Sequence, residues 1–130
     1  MQEFVGRQQQ QEWKVTQDML AVKMGSGTAR VLATPALIAC MENACMQLVQ
    51  PALAEGITTV GTRVEVAHLA PTPEGARIVV TATLTETDGR RFVYRVEAED
   101  GSGKIGEGTM ERRSIRLSSF EEKAAARNQA

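Results

Sequence analysis

The stretch Val31 to Leu53, VLATPALIACMENACMQLVQPAL, decides how the rest of the chain must fold. Thr34 is a suitable cap, Pro35 suits a first helical position, and Pro51 followed by Gly56 marks a stop. The spacing predicts a helix of about sixteen residues from Pro35 to Gln50. On a helical wheel Leu37, Ile38, Met41, Ala44, Cys45, Leu48 and Val49 form a wide apolar arc, with Ala36, Asn43, Gln47 and Gln50 opposite. Glu42 is the only charged residue in that span. A surface helix of this size carries several charges, so this one is expected to be central and largely covered.

Beyond it the apolar period changes from 3.6 to 2. Gly61 to Leu69 places Thr62, Val64, Val66 and His68 on one face and Arg63, Glu65, Ala67 and Leu69 on the other. Pro71 to Gly75 reads as a turn, and Arg77 to Thr87 follows with Ile78, Val80, Ala82 and Leu84 aligned. Asp88-Gly89 signals a hairpin into Phe92, Tyr94, Val96 and Ala98, and a turn at Asp100 to Gly103 leads to a strand from Lys104 to about Leu117. Upstream, Trp13 to about Val22 is expected to be a strand ending before Gly25-Ser26-Gly27. Residues 1–12, with the run Gln8 to Gln11, read as a flexible lead-in, and 119–130 as a flexible tail holding a short helix capped by Ser118 or Ser119. The fold class is therefore α+β, with residues 13–118 forming one curved antiparallel sheet wrapped around one long helix, the hot-dog arrangement. Its edge strands call for a partner, so a homodimer is expected.

A chain of 130 residues favours one domain, and 42% apolar with 24% charged residues places it among ordinary globular proteins. Fifteen Lys plus Arg against sixteen Asp plus Glu give a net charge of −1, which argues against a nucleic-acid partner held by a broad basic field. Cys40 and Cys45 would point about 140° apart on a helix, too divergent to bridge, so reduced thiols are expected. Two cysteines and one histidine without CxxC or HExxH spacing assign no metal. The start MQEFVGRQQQQE has no apolar core, and no apolar run is long enough to span a membrane, so a cytoplasmic protein is expected.

Three side chains could carry chemistry. Glu42 sits at the margin of the apolar arc, where partial desolvation makes a carboxylate a usable base or nucleophile. A glutamate that only reaches solvent there would look the same. His68 lies on the Val64 and Val66 face near a strand end, a place for proton transfer or for a histidine with a structural partner. Thr34 puts a hydroxyl at the helix start, where backbone N–H groups favour a developing oxyanion, and an N-cap is the competing role. Gly61 is compatible with a backbone N–H exposed to a carbonyl or with a plain strand-start turn. Arg90, Arg91, Arg112 and Arg113 could meet phosphate or form a solvated strand face. Gly106 and Gly108, two apart in a strand, suggest close approach of the helix rather than a phosphate loop.

The segments ATPALIACMENACMQLV, GTRVEVAHLAPTPEG, DGRR and IGEGTMERRSI, in that order, resemble the fluoroacetyl-CoA thioesterase branch of the hot-dog thioesterases, from about Trp13 to Leu117. The family's catalytic threonine, glutamate and histidine fall on Thr34, Glu42 and His68. The resemblance implies hydrolysis of an acyl-CoA to a carboxylate and free CoA, with no cofactor, in a site at a dimer interface. Glu42 would attack the thioester or activate water, Thr34 would position the acyl group, and His68 would assist proton transfer. Gly61 would line the acyl site, and Arg112 would lie near the substrate. Members selective for fluoroacetyl-CoA carry aromatic lid residues before the threonine, whereas Gly25 to Thr34 reads GSGTARVLAT. A short or medium acyl-CoA thioesterase is therefore expected. A non-catalytic acyl-CoA-binding protein and a hot-dog hydratase or dehydratase are the competing classes.

Overall fold

The computed structural model describes residues 1–128; the last two residues of the expected tail lie outside them. Five antiparallel strands, β1 (Gln8–Lys14), β2 (Ile57–His68), β3 (Arg77–Thr87), β4 (Arg91–Asp100) and β5 (Gly103–Arg116), form one curved sheet in the order β1-β3-β4-β5-β2. The long helix α2 (Thr34–Val49) packs on its inner face, while α1 (Ala21–Met24) precedes it and α3 (Leu117–Arg127) follows β5. Leu37, Met41, Ala44, Cys45, Leu48 and Val49 of α2 are buried against Ile78, Val80, Ala82 and Leu84 of β3 and Phe92, Tyr94 and Val96 of β4. Ala36, on the opposite side of the wheel, is buried as well, while Pro35, Ala39 and Gln47 remain exposed. Each fully buried Leu, Ile or Met contributes about 1.5–3 kcal/mol.

The first strand is where the sequence reading departs from the structure. β1 begins at Gln8, inside the expected flexible lead-in, and ends at Lys14, while residues 17–19 and α1 are helical turns rather than strand. Gln9, Gln11 and Trp13 alternate inward, and Gln11 donates from Nε2 to Asn43 Oδ1 at 3.3 Å. The polar flank of α2 thus meets a polar strand, which hydrophobic alternation cannot flag. Residues before it are also tied down, because Gly6 N–H donates to the Leu84 carbonyl at 2.8 Å. At the other end α3 starts at Leu117 with Arg116 as its N-cap residue, and neither Ser118 nor Ser119 caps it.

Strand β2 contains a bulge at Thr62: Gly61 pairs with Arg112, but Arg63 pairs with Glu111. The extra residue reverses the inward parity of the strand. Gly61 is opposite Arg112 and His68 is opposite Gly106, an even number of residues apart on an uninterrupted run of β5, so both face the helix. Simple alternation puts them on opposite faces. On β5, a Cβ added to Gly106 would lie 2.9 Å from Leu37 Cδ2, the close helix approach expected of it. One added to Gly108 would instead collide with the β2 backbone at Glu65 and Val66.

Candidate active site

Thr34 is the first residue of α2 rather than its cap; the N-cap is Ala33, and no side chain caps the helix. Free of that role, the Thr34 hydroxyl lies 2.8 Å from His68 Nδ1 at the end of β2. The hydroxyl can donate to or accept from Nδ1, so this contact sets whether the other ring nitrogen presents a proton or a lone pair. That nitrogen, Nε2, is buried and has no partner among the described residues. Thr34 and His68 open onto a cavity of about 310 Å³ lined also by Ala21, Ser26, Ala33 and Pro35.

Two helical turns further along α2, Glu42 is bound elsewhere. Arg112 donates from Nη1 to Glu42 Oε2 at 3.1 Å. The arginine side chain is 9% exposed and that of Glu42 38%, so the pair sits at the rim of the core, with its cation inside. The same guanidinium donates from Nε to Thr59 Oγ1 at 3.0 Å and from Nη2 to the Thr59 carbonyl at 2.8 Å. Glu42 Oε1 has no protein partner among the described residues. Gly61 lies against the carboxylate so closely that an added Cβ would come within 3.0 Å of Oε2.

One chain therefore brings Thr34 and His68 together, and brings Glu42, Gly61 and Arg112 together, but keeps the two groups apart. Thr34 and Glu42 are separated by eight residues of helix, about 12 Å. The β5 partners of His68 and Gly61 are six residues apart, about 20 Å of strand. None of Glu42, Gly61 or Arg112 lines the cavity.

Arg112 and Arg91, both read as possible phosphate contacts, are engaged within the chain: Arg112 as above, and Arg91 with Glu86 at 2.7 Å and with Glu111. Arg90 and Arg113 are exposed. Cys40 and Cys45 are free thiols in the core; burial raises Cys40 to about 11 and Cys45, despite partial relief from Arg112, to about 12. Thiols so placed are protonated at neutral pH and take no part as nucleophiles. Thr59 is the residue that sequence reading missed. Nothing in its neighbourhood marks it, since its partner lies 53 positions away.

The family described as fluoroacetyl-CoA-specific thioesterase matches residues 15–117. The chain belongs to that family. It is 41% identical over 100 residues, 77% of this chain and 72% of the other, to the fluoroacetyl-CoA thioesterase of Streptantibioticus cattleyicolor. A solved structure of the fluoroacetyl-CoA thioesterase FlK matches at a TM-score of 0.92 and 33% identity, covering 96% of this chain and 97% of that one. A Thermus thermophilus protein described as a thioesterase superfamily member matches at 0.85 and 31%, over 94% and 90% of the two chains. Family membership, with this fold, makes the chain a hot-dog thioester hydrolase. No helix of the described residues is long and apolar enough to cross a membrane.

Proposed function

We propose that this enzyme hydrolyses a short or medium acyl-CoA in the cytoplasm, using Thr34, Glu42 and His68. The observation that carries the reading is that the chain holds both a free carboxylate oxygen on Glu42 and a Thr34–His68 hydrogen bond, on the three residues that the resemblance singles out. Glu42 Oε1 attacks the thioester carbonyl, or takes a proton from the attacking water, while the carbonyl oxygen becomes negative at the α2 N-terminus. The C–S bond breaks, His68 Nε2 delivers a proton to the departing thiolate, and Thr34 holds the ring that delivers it. Water supplies the hydroxyl that ends on the acid, cleaving the Glu42–acyl anhydride where Glu42 has attacked, and its remaining proton goes back to His68, so the products are carboxylic acid and CoA. The cavity wall contributed by Ala21, Ser26, Val31 and Leu32 has no aromatic ring, and its volume lies near the lower end for small-molecule clefts, which suits an acyl end longer than fluoroacetyl but not an extended fatty chain.

The separation of the two residue groups favours a homodimer in which Glu42 of one copy faces Thr34 and His68 of the other, since neither group alone can both attack and protonate. Strand β2 is the sheet edge next to both groups, and Val64 on its helix-facing side is 41% exposed, as a strand waiting for a second copy would be.

Thiol release from acetyl-, fluoroacetyl-, butyryl-, hexanoyl- and decanoyl-CoA tests the reaction, with wild type and Glu42→Gln side by side. Release that peaks at butyryl or hexanoyl and vanishes in the variant is expected. Undiminished release by Glu42→Gln removes Glu42 from the chemistry, and crotonyl-CoA hydration without thiol release points to a hydratase instead. Mixing unfolded Thr34→Ala and Glu42→Gln chains and refolding them together tests the shared site. Random pairing restores about a quarter of wild-type activity if the site spans two chains, and none if each chain holds its own.

A further inference from the structure

Thr59 holds Arg112 by two atoms of one residue: its hydroxyl oxygen accepts from Nε at 3.0 Å and its carbonyl oxygen from Nη2 at 2.8 Å. A guanidinium fixed along one edge in this way has its plane set by the β2 main chain, and its remaining corner, Nη1, is aimed at Glu42 Oε2. We infer that Thr59 is a positioning residue of the reaction: through Arg112 it fixes one oxygen of Glu42 and leaves the other, Oε1, directed to the substrate. The inference rests on the reading of Glu42 as the reacting carboxylate.

Three features support it. Thr59 is 4% exposed and Arg112 7%, so neither bond is loosened by solvent. A β-branched side chain in a strand has few rotamers, which holds the hydroxyl where Nε needs it. Thr59 and Gly61 share the helix-facing side of β2 just ahead of the bulge, so three consecutive residues supply both the anchor for Arg112 and the space into which the Glu42 carboxylate fits. A valine at position 59 has the same shape and lacks the acceptor, leaving a buried Nε–H of a charged group unpaired. Arg112, read from sequence as a substrate contact, thereby becomes the link between Thr59 and Glu42.

The test is steady-state hydrolysis of the best acyl-CoA by Thr59→Val, Thr59→Ser and Glu42→Gln, each rate divided by the folded fraction from circular dichroism. Thr59→Val is expected to lower kcat by about ten- to a hundred-fold with KM within about twofold, and Thr59→Ser to restore kcat to within about threefold of wild type. In an Arg112→Lys background, which has no Nε–H donor of that geometry, Thr59→Val is expected to add little. Wild-type kcat in Thr59→Val while Glu42→Gln is inactive overturns the role of Thr59 alone. Full activity in Glu42→Gln overturns the reading beneath it. An equal fall in both arginine backgrounds makes Thr59 a packing residue and overturns the inference. Should Thr59→Val not fold, Thr59→Ala, which keeps the backbone acceptor and admits water, carries the same expectations.

Discussion

Glu42 and Gly61 occupy each other's space: the carboxylate of the helix residue lies where the strand residue would carry its first side-chain carbon. The strand is bare at that position because the helix brings a charged group to it. The backbone of Gly61 is not in the left-handed region, so alanine is conformationally acceptable there and only the steric conflict remains.

Gly61→Ala is therefore expected to fold and to fail catalytically. The methyl group displaces the far end of a flexible side chain, which costs little stability, but it breaks the Glu42 to Arg112 geometry. A fall in kcat of about 10² or more with a melting temperature within a few degrees of wild type is the expected outcome. Unchanged turnover would show that the carboxylate works from another position.

His68 and Thr34 act as a unit if their 2.8 Å contact is the catalytic one. His68→Ala is expected to lower kcat by about 10² to 10⁴, the usual contribution of one acid–base group. Thr34→Ser, which retains the hydroxyl, keeps far more activity than Thr34→Ala, and the Thr34→Ala/His68→Ala double variant loses much less than the product of the single losses. Strict multiplication of the two losses in a double-mutant cycle would separate them.

The two β5 glycines differ in what an added methyl group meets. At Gly106 it meets the Leu37 side chain, which can yield, and Gly106→Ala is expected to cost about 1–3 kcal/mol. At Gly108 it meets the backbone of β2, which cannot move without parting the two strands. Urea titration should rank Gly108→Ala as the more destabilising, and the reverse ranking would place β2 farther from β5.

The buried thiols make the fold sensitive to alkali. In the unfolded chain a thiol ionises near 9.0, whereas burial raises Cys40 to about 11 and Cys45 to about 12. The folded state therefore binds these protons more tightly. Their contribution is fully present below pH 9 and is lost as the pH climbs from about 9 through 11 and 12, at up to about 1.4 kcal/mol per pH unit for each thiol. Tyr94, whose buried hydroxyl is raised by the same desolvation, acts in the same direction. Urea midpoints measured from pH 7 to 11 should be level at first and then fall, and Cys45→Ala should fall less steeply. Parallel curves for the two proteins would remove Cys45 from the effect.

What the sequence made legible followed from how each residue advertises its surroundings. α2 was readable to within a residue at each end because Pro35 and Pro51 bracket an apolar arc, β3 and β4 because their inward positions are aliphatic or aromatic, and β5 because the Asp100 to Gly103 turn announces its start. β1 was not, because glutamines fill two of its three inward positions and satisfy them by hydrogen bonds that leave no hydrophobic trace. Thr34, Glu42 and His68 stood out individually, yet the distance between Glu42 and the other two depends on helix length and strand register and only appears once the chain is folded. Arg112 is expected from the sequence to lie near the substrate, and its grip on Thr59, a contact between distant segments, has no local signature.

The single extra residue at Thr62 makes the length of β2 as consequential as its composition. Because Gly61 and His68 reach the same face only through that offset, a strand without the extra residue would keep both on the helix side as a regular ladder, whereas one further residue without a second bulge would turn His68 outward. A change of one residue within this seven-residue interval keeps both ends in place only when a bulge is lost or gained with it. An odd interval thus declares, before any side chain is compared, that the second strand must carry a bulge if its two ends are to serve the same layer of the protein.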